Sequence, residues 1–196
     1  MRKFKTDKRL EKIISSATSR QFSLRVVMEN IHDPHNVSAI LRTCDAVGVA
    51  KVTLLYTFES FPRISKTSSS SANKWVEAEK YSDTKICFDE LRTQGFKIYA
   101  SMLNKNAVNL YEIDLTKKVA LVFGNEKRGV SSEAEEFADE TFYIPMRGMI
   151  QSLNVSVAAA VTLYEAQRQR VQKGMYKESE LSQVELDRLI DKWCEK

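Results

Sequence analysis

The sequence predicts an α/β fold, a mostly parallel sheet with helices on both faces. Two observations carry this. Short β-rich runs alternate with helical patterns along most of the chain, the rhythm of strand–helix–strand units. At 196 residues the chain suits one such domain with short extensions and is long enough to bury a core.

Taken in order, Leu10, Ile13, Ile14 and Ala17 make a thin apolar stripe on an N-terminal helix that should dock on the core or on a partner subunit. LRVVMEN at 24–30 reads as the first strand. A helix follows near Asn36, where Val37, Ile40, Leu41 and Cys44 fall at i, i+3, i+4 and i+7 and define its buried stripe. Gly48 fits its C-terminal stop. KVTLLYT at 51–57 is the second strand, and FPRISKTSSSSANKW at 61–75 has no period and reads as a loop. A helix near Thr84 ends at Gly95. Further strands are FKIYASML at 96–103, KVALVFGNE at 118–126 and TFYIPM at 141–146, with helices starting near Ser131 and near Ser152. The last of these opens after a polar Gln-Ser-Leu-Asn step, although the small apolar run behind it suggests the most buried helix in the chain. Leu186, Leu189, Ile190 and Trp193 make a C-terminal stripe like the N-terminal one.

Hydrophobic content of 43% and charged content of 29% are ordinary for a soluble globular chain, and no apolar run reaches membrane-spanning length. The N-terminus MRKFKTDKRL lacks the apolar core of a secretory signal, so a cytoplasmic location is expected. Cys44, Cys87 and Cys194 are odd in number and form no C-x-x-C pair, which argues against disulfides and zinc. His32 and His35 are the only histidines, so no metal is expected.

The net charge of +4 is modest, but its placement is uneven. Residues 1–25 hold eight lysines and arginines against Asp7 and Glu11, and Arg168, Arg170, Lys173 and Lys177 form a second cluster. Such patches suit a phosphate backbone; a solvated helix face is the plain alternative.

Ligands of parallel sheets bind beyond the carboxyl ends of the strands, which singles out three segments. LVFGNEKRGVS sets Gly124, Asn125 and Glu126 after a strand, IPMRGMIQSLN turns through Gly148, and YASMLNK ends on Ser101 and Leu103. Glycine at 124 would let the backbone approach a ligand closely or merely close a tight turn. Glu126 has the alternatives of capping the next helix or pairing with Lys127, while Ser152 and Asn154 have that of helix caps. Arg42 points away from the buried stripe of its helix, beside the small Ser38, Ala39 and Ala46; the alternative is a solvated pair with Asp45. No segment matches G-x-G-x-x-G or a P-loop.

These segments in this order, NVSAILRTCDAVG with Asn36 and Arg42, then LVFGNEKRGVS, then IPMRGMIQSLNVSVAAAVTLYEAQRQR, closely resemble the three motifs of the SpoU/TrmH branch of the SPOUT RNA methyltransferases. The likeness covers almost the whole chain, including HDPHN, NKWV and EAQRQR. It departs from the family pattern at SSSSAN before Trp75 and at Asn125.

The resemblance implies a C-terminal deep trefoil knot, a homodimer, S-adenosylmethionine as cofactor and tRNA as partner, with methylation of the ribose 2′-oxygen of guanosine 18 in the D-loop. It maps cofactor contacts to Ser101, Gly124, Ile144 and Leu153, mostly through main-chain groups, with Leu103 and Met146 as apolar neighbours. Asn36, Arg42, Glu126, Ser152 and Asn154 match its functional polar residues. The basic N-terminal extension is then 1–22, the methyltransferase domain 23–175 and the C-terminal extension 176–196. A relative that modifies another tRNA or ribosomal nucleotide, or an RNA-binding protein without catalysis, are the rival readings.

Overall fold

The computed structural model describes residues 2–62 and 72–196. Seven strands form one sheet in the order β3-β2-β1-β6-β4-β7-β5, and every pair is parallel. They are β1 (Gln21–Glu29), β2 (Val49–Leu55), β3 (Glu77–Tyr81), β4 (Lys97–Ser101), β5 (Val108–Asn109), β6 (Val119–Phe123) and β7 (Glu140–Tyr143). The helices are α1 (Asp7–Thr18), α2 (Pro34–Val47), α3 (Thr84–Thr93), α4 (Ser132–Phe137), α5 (Val155–Gln172) and α6 (Gln183–Cys194).

Strand side chains alternate between two faces, and the two cores separate accordingly. Val26 and Met28 of β1 and Leu121 and Phe123 of β6 pack with Ile40 and Leu41 of α2 and Leu163 of α5. Val27, Ala120 and Val122 pack on the opposite face with Phe88 and Leu91 of α3 and Ala134 of α4. Central strands therefore carry apolar runs that make them legible in sequence, although Gln21, Arg25 and Glu29 of β1 and Thr53 of β2 are polar and buried. The edge strands β3 and β5 escape the sequence reading because EAEKY is half exposed and β5 has only two residues.

The stop signals at Gly48 and Gly95 hold, each with a φ of 85° that favours glycine. The last long helix starts three residues later than expected, at Val155, with Asn154 as its N-cap. Nor is it wholly buried. Val157, Tyr164 and Val171, spaced by sevens, are exposed along one line of α5. The Ser-rich loop expected at 61–75 lies largely outside the described residues.

The two terminal stripes dock on each other. Ile13 and Ala17 of α1 meet Leu186, Ile190, Trp193 and Cys194 of α6, with Trp75 edge-on to Trp193 at 5.1 Å. All three cysteines are free and buried, and burial pushes the Cys87 thiol up to about 12.

The basic clusters are thinner than the sequence suggests. Arg20 turns inward to Asp45 and the Val49 carbonyl, and Arg25 to Glu79 at 2.7 Å. Arg170 is fully buried, donating to the carbonyls of Leu115, Lys117 and Ser23, to Gln21 Oε1 and to Ser23 Oγ. Arg168 is held by Glu165 through both carboxylate oxygens. A guanidinium offers five donors, so at the buried Arg20, Arg25 and Arg170 it serves as an internal brace instead of a phosphate contact.

Candidate active site

The chain leaves β6 through a tight hairpin. Asn125 and Gly129 exchange backbone hydrogen bonds of 2.9 and 2.8 Å, and the buried Asn125 amide accepts from Lys127 N and Arg128 N while donating to the Asn30 carbonyl. A Cβ on Gly124 would run into the backbone of Gly129 and Val130. The glycine is thus required by the chain's own return path, the tight-turn alternative, and it also lines the cavity.

Glu126, at the hairpin tip, reaches back to the loop before α2. Its carboxylate accepts from the amides of His32 (2.9 Å) and Asp33 (3.0 Å) and from Asn36 Nδ2 (2.9 Å). It neither caps the next helix, which Ser131 does, nor pairs with Lys127. Partial burial works against its ionised form, but the hydrogen bonds from Asn36 and the two amides outweigh it and hold the carboxyl below its usual range.

A carboxylate only accepts, so it orients everything beyond it. Asn36 must turn its NH2 to Glu126 and its oxygen to Asn154 Nδ2 at 3.2 Å. Asn154 is then left with its oxygen toward α5, where it accepts from Ser156 N at 2.8 Å. One polarised chain therefore links the β6 hairpin, α2 and the start of α5. It also explains the polar step before α5: Asn154 satisfies a free helix amide. Ser152 does not take part and makes no hydrogen bond among the described residues.

These walls enclose a cavity of about 1130 Å³ beyond the ends of β4, β6 and β7. Ser101, Leu103, Gly124, Ile144, Met146 and Leu153 all line it, as do Glu126, Ser152 and Asn154. No backbone group from Pro145 to Leu153 bonds to another described main-chain group, which leaves these donors and acceptors open to a ligand. Asn36 is reached only through Glu126 and Asn154.

Arg42 is not brought in. It lies roughly 9 Å further along the α2 axis than Asn36, exposed and without a hydrogen bond or ion pair among the described residues. Its alternative partner, Asp45, is occupied by Arg20. Among the described residues no group of His, Cys, Asp or Glu side chains could hold a metal ion.

Two contributors escaped the sequence reading. Asn30 takes a φ of 49° at the end of β1, and its Oδ1 gathers the amides of Thr57, Phe58 and Glu59; an asparagine closing a β-run was its only signal. Glu29 is buried, with Oε2 accepting from Ser131 N and Oε1 unpartnered.

The profile of the SpoU rRNA Methylase family matches residues 23–164. The tRNA (guanosine(18)-2'-O)-methyltransferase of Aquifex aeolicus is 44% identical, over 96% of this chain and 89% of its own. That of Thermus thermophilus is 44% identical over 98% of each. Among solved structures, the A. aeolicus TrmH/SpoU tRNA modifying enzyme superposes with a TM-score of 0.89 over 95% of both chains. An AdoMet-bound rRNA methyltransferase from Sinorhizobium meliloti, 26% identical, gives 0.61 over 79% of this chain and 59% of its own.

Proposed function

The chain belongs to the SpoU methylase family, and from that premise we propose that it transfers a methyl group from S-adenosylmethionine to the ribose 2′-oxygen of guanosine 18 in tRNA. The observation that carries this is one cavity lined by all three strand-end segments, those after β4, β6 and β7, together with relatives of that activity 44% identical over nearly the whole chain. The cofactor fits the site's chemistry. Leu103, Ile144, Met146 and Leu153 offer apolar walls, and the free main-chain groups after β7 offer edges for a purine.

When bound, the cofactor supplies the electrophilic methyl carbon. The protein's part is then position and charge. Glu126, Asn36 and Asn154 hold the two walls in register. Glu126 is ionised at neutral pH, but its lone pairs are committed to His32, Asp33 and Asn36, so it positions the site and is a poor proton acceptor. Ser152, unbonded at the cavity wall, is available to substrate. Arg42 clamps an RNA phosphate and stabilises the developing alkoxide, as a guanidinium that keeps its proton does.

Arg42 stands outside the cavity of its own chain, so this reading requires a homodimer in which the second copy supplies it. The exposed line of Val157, Tyr164 and Val171 on α5, which packs along α2, supports such a contact. The C-terminal third is read as a deep trefoil knot, supported by the out-of-order insertion of β4 between β6 and β7. Residues 1–22 and 176–196 are read as extensions to the domain at 23–175, a division supported by the packing of α1 on α6. No described helix is long and apolar enough to cross a membrane, and the reading puts the enzyme in the cytoplasm with its tRNA.

Labelled methyl transfer to total tRNA, followed by mapping of the modified nucleotide, tests the proposal. Label at the 2′-oxygen of guanosine 18 is expected; no transfer, or transfer elsewhere, overturns it.

A further inference from the structure

Beside the cavity stands a cluster that joins Arg128, from the second motif, to Phe58, Glu59 and His32, which lie outside all three motifs. The Arg128 guanidinium lies over the Phe58 ring, 4.1 Å from its centroid, and is held by Glu59 at 2.7 Å. Glu59 also meets His32 Nδ1 at 3.1 Å, on the loop whose amides grip Glu126. The backbone beneath is preorganised, since Asn30 Oδ1 accepts from Thr57, Phe58 and Glu59 at 2.9, 3.2 and 3.3 Å. Phe58 nevertheless remains 54% exposed and the Arg128 side chain 59% exposed. Arg128 itself lines the cavity.

An aromatic ring and a guanidinium plane, stacked, open to solvent and anchored from below, match the chemistry that seats an unstacked nucleobase. The cationic member also suits the flanking phosphate. A solitary surface cation–π pair is worth little and accounts for neither the anchoring nor the location. We propose that Phe58 and Arg128 form a stacking platform for a base of the bound tRNA next to the ribose that enters the cavity. The inference rests on the functional reading above and adds a positioning residue to it: Phe58 touches RNA, not the reacting atoms. Stacking tolerates any base, so the platform fixes where the strand lies and does not read its sequence.

The test uses the full chain and an unmodified tRNA transcript, comparing wild type with Phe58→Ala, Phe58→Trp and Arg128→Ala. The tRNA Kd and KM are measured, and the S-adenosylmethionine Kd is taken by calorimetry. Phe58→Ala is expected to raise the tRNA Kd and KM about 5- to 100-fold and leave cofactor affinity unchanged. Phe58→Trp is expected to restore tRNA binding, and Arg128→Ala to fall between. A Phe58→Ala protein with wild-type tRNA affinity, or one losing cofactor and tRNA binding in parallel, overturns the platform alone. Wild type that binds tRNA without methylating it overturns the functional reading, and the Kd series still decides the platform. Wild type that binds no tRNA overturns both.

Discussion

Replacing Gly124 by alanine puts the hairpin account under direct strain. The new methyl would sit well inside the van der Waals separation of about 3.5 Å from the Gly129 carbonyl and the Val130 nitrogen, which are backbone atoms with no rotamer to change. The strands of the hairpin must part, breaking the two Asn125–Gly129 hydrogen bonds at about 1 kcal/mol each, with overpacking adding about 1–3 kcal/mol. The total is about 3–5 kcal/mol, or a melting temperature lower by about 6–20 °C for a chain of this size. Gly129→Ala is the control. Gly129 has a φ of 71° but open space around its Cα, so alanine there meets only the left-handed penalty of about 1–2 kcal/mol. Thermal denaturation of both variants with and without S-adenosylmethionine measures the difference. A Gly124→Ala protein as stable as Gly129→Ala would refute the claim that the chain's return path excludes a side chain there.

Three further outcomes are expected. Arg170→Met should cost about 3–5 kcal/mol in denaturant unfolding, because buried carbonyls at Leu115, Lys117 and Ser23 lose their donor; Lys85→Met, at a pair with Asp89 that is exposed on both sides, should cost under about 1 kcal/mol. Burial raises the Glu29 carboxyl pKa in the folded state despite its bonds to Ser131, so its contribution is fully present below the unfolded pKa and is lost as pH rises through the folded one. Glu29→Gln should therefore be more stable relative to wild type at pH 8 than at pH 4, and a gain that does not vary with pH would contradict this. For Arg42, lysine should retain more methyl transfer than alanine, and mixing Arg42→Ala with Asn154→Ala chains should recover activity that neither has alone; no recovery from mixed dimers would mean that each chain uses its own Arg42.

The amino-acid sequence by itself determined the central architecture and the composition of the cavity. Strands buried on both faces need apolar runs, so β1, β2, β4 and β6 announced themselves even though Arg25, Glu29 and Thr53 are buried among them. Ser101, Leu103, Gly124 and Glu126 stood out because ligands of parallel sheets sit beyond strand ends, which are local features, while Ile144, Met146 and Leu153 came from the family resemblance alone; all seven line the cavity. What only the tertiary structure decided concerns charge and long-range partners. Periodicity does not say whether an arginine faces water or a buried carbonyl, so Arg20, Arg25 and Arg170 read as cations and proved to be braces. The polarity running from Glu126 through Asn36 to Asn154 joins positions 90 and 118 residues apart. Such a chain exists only once the fold has brought three separate turns within hydrogen-bonding distance.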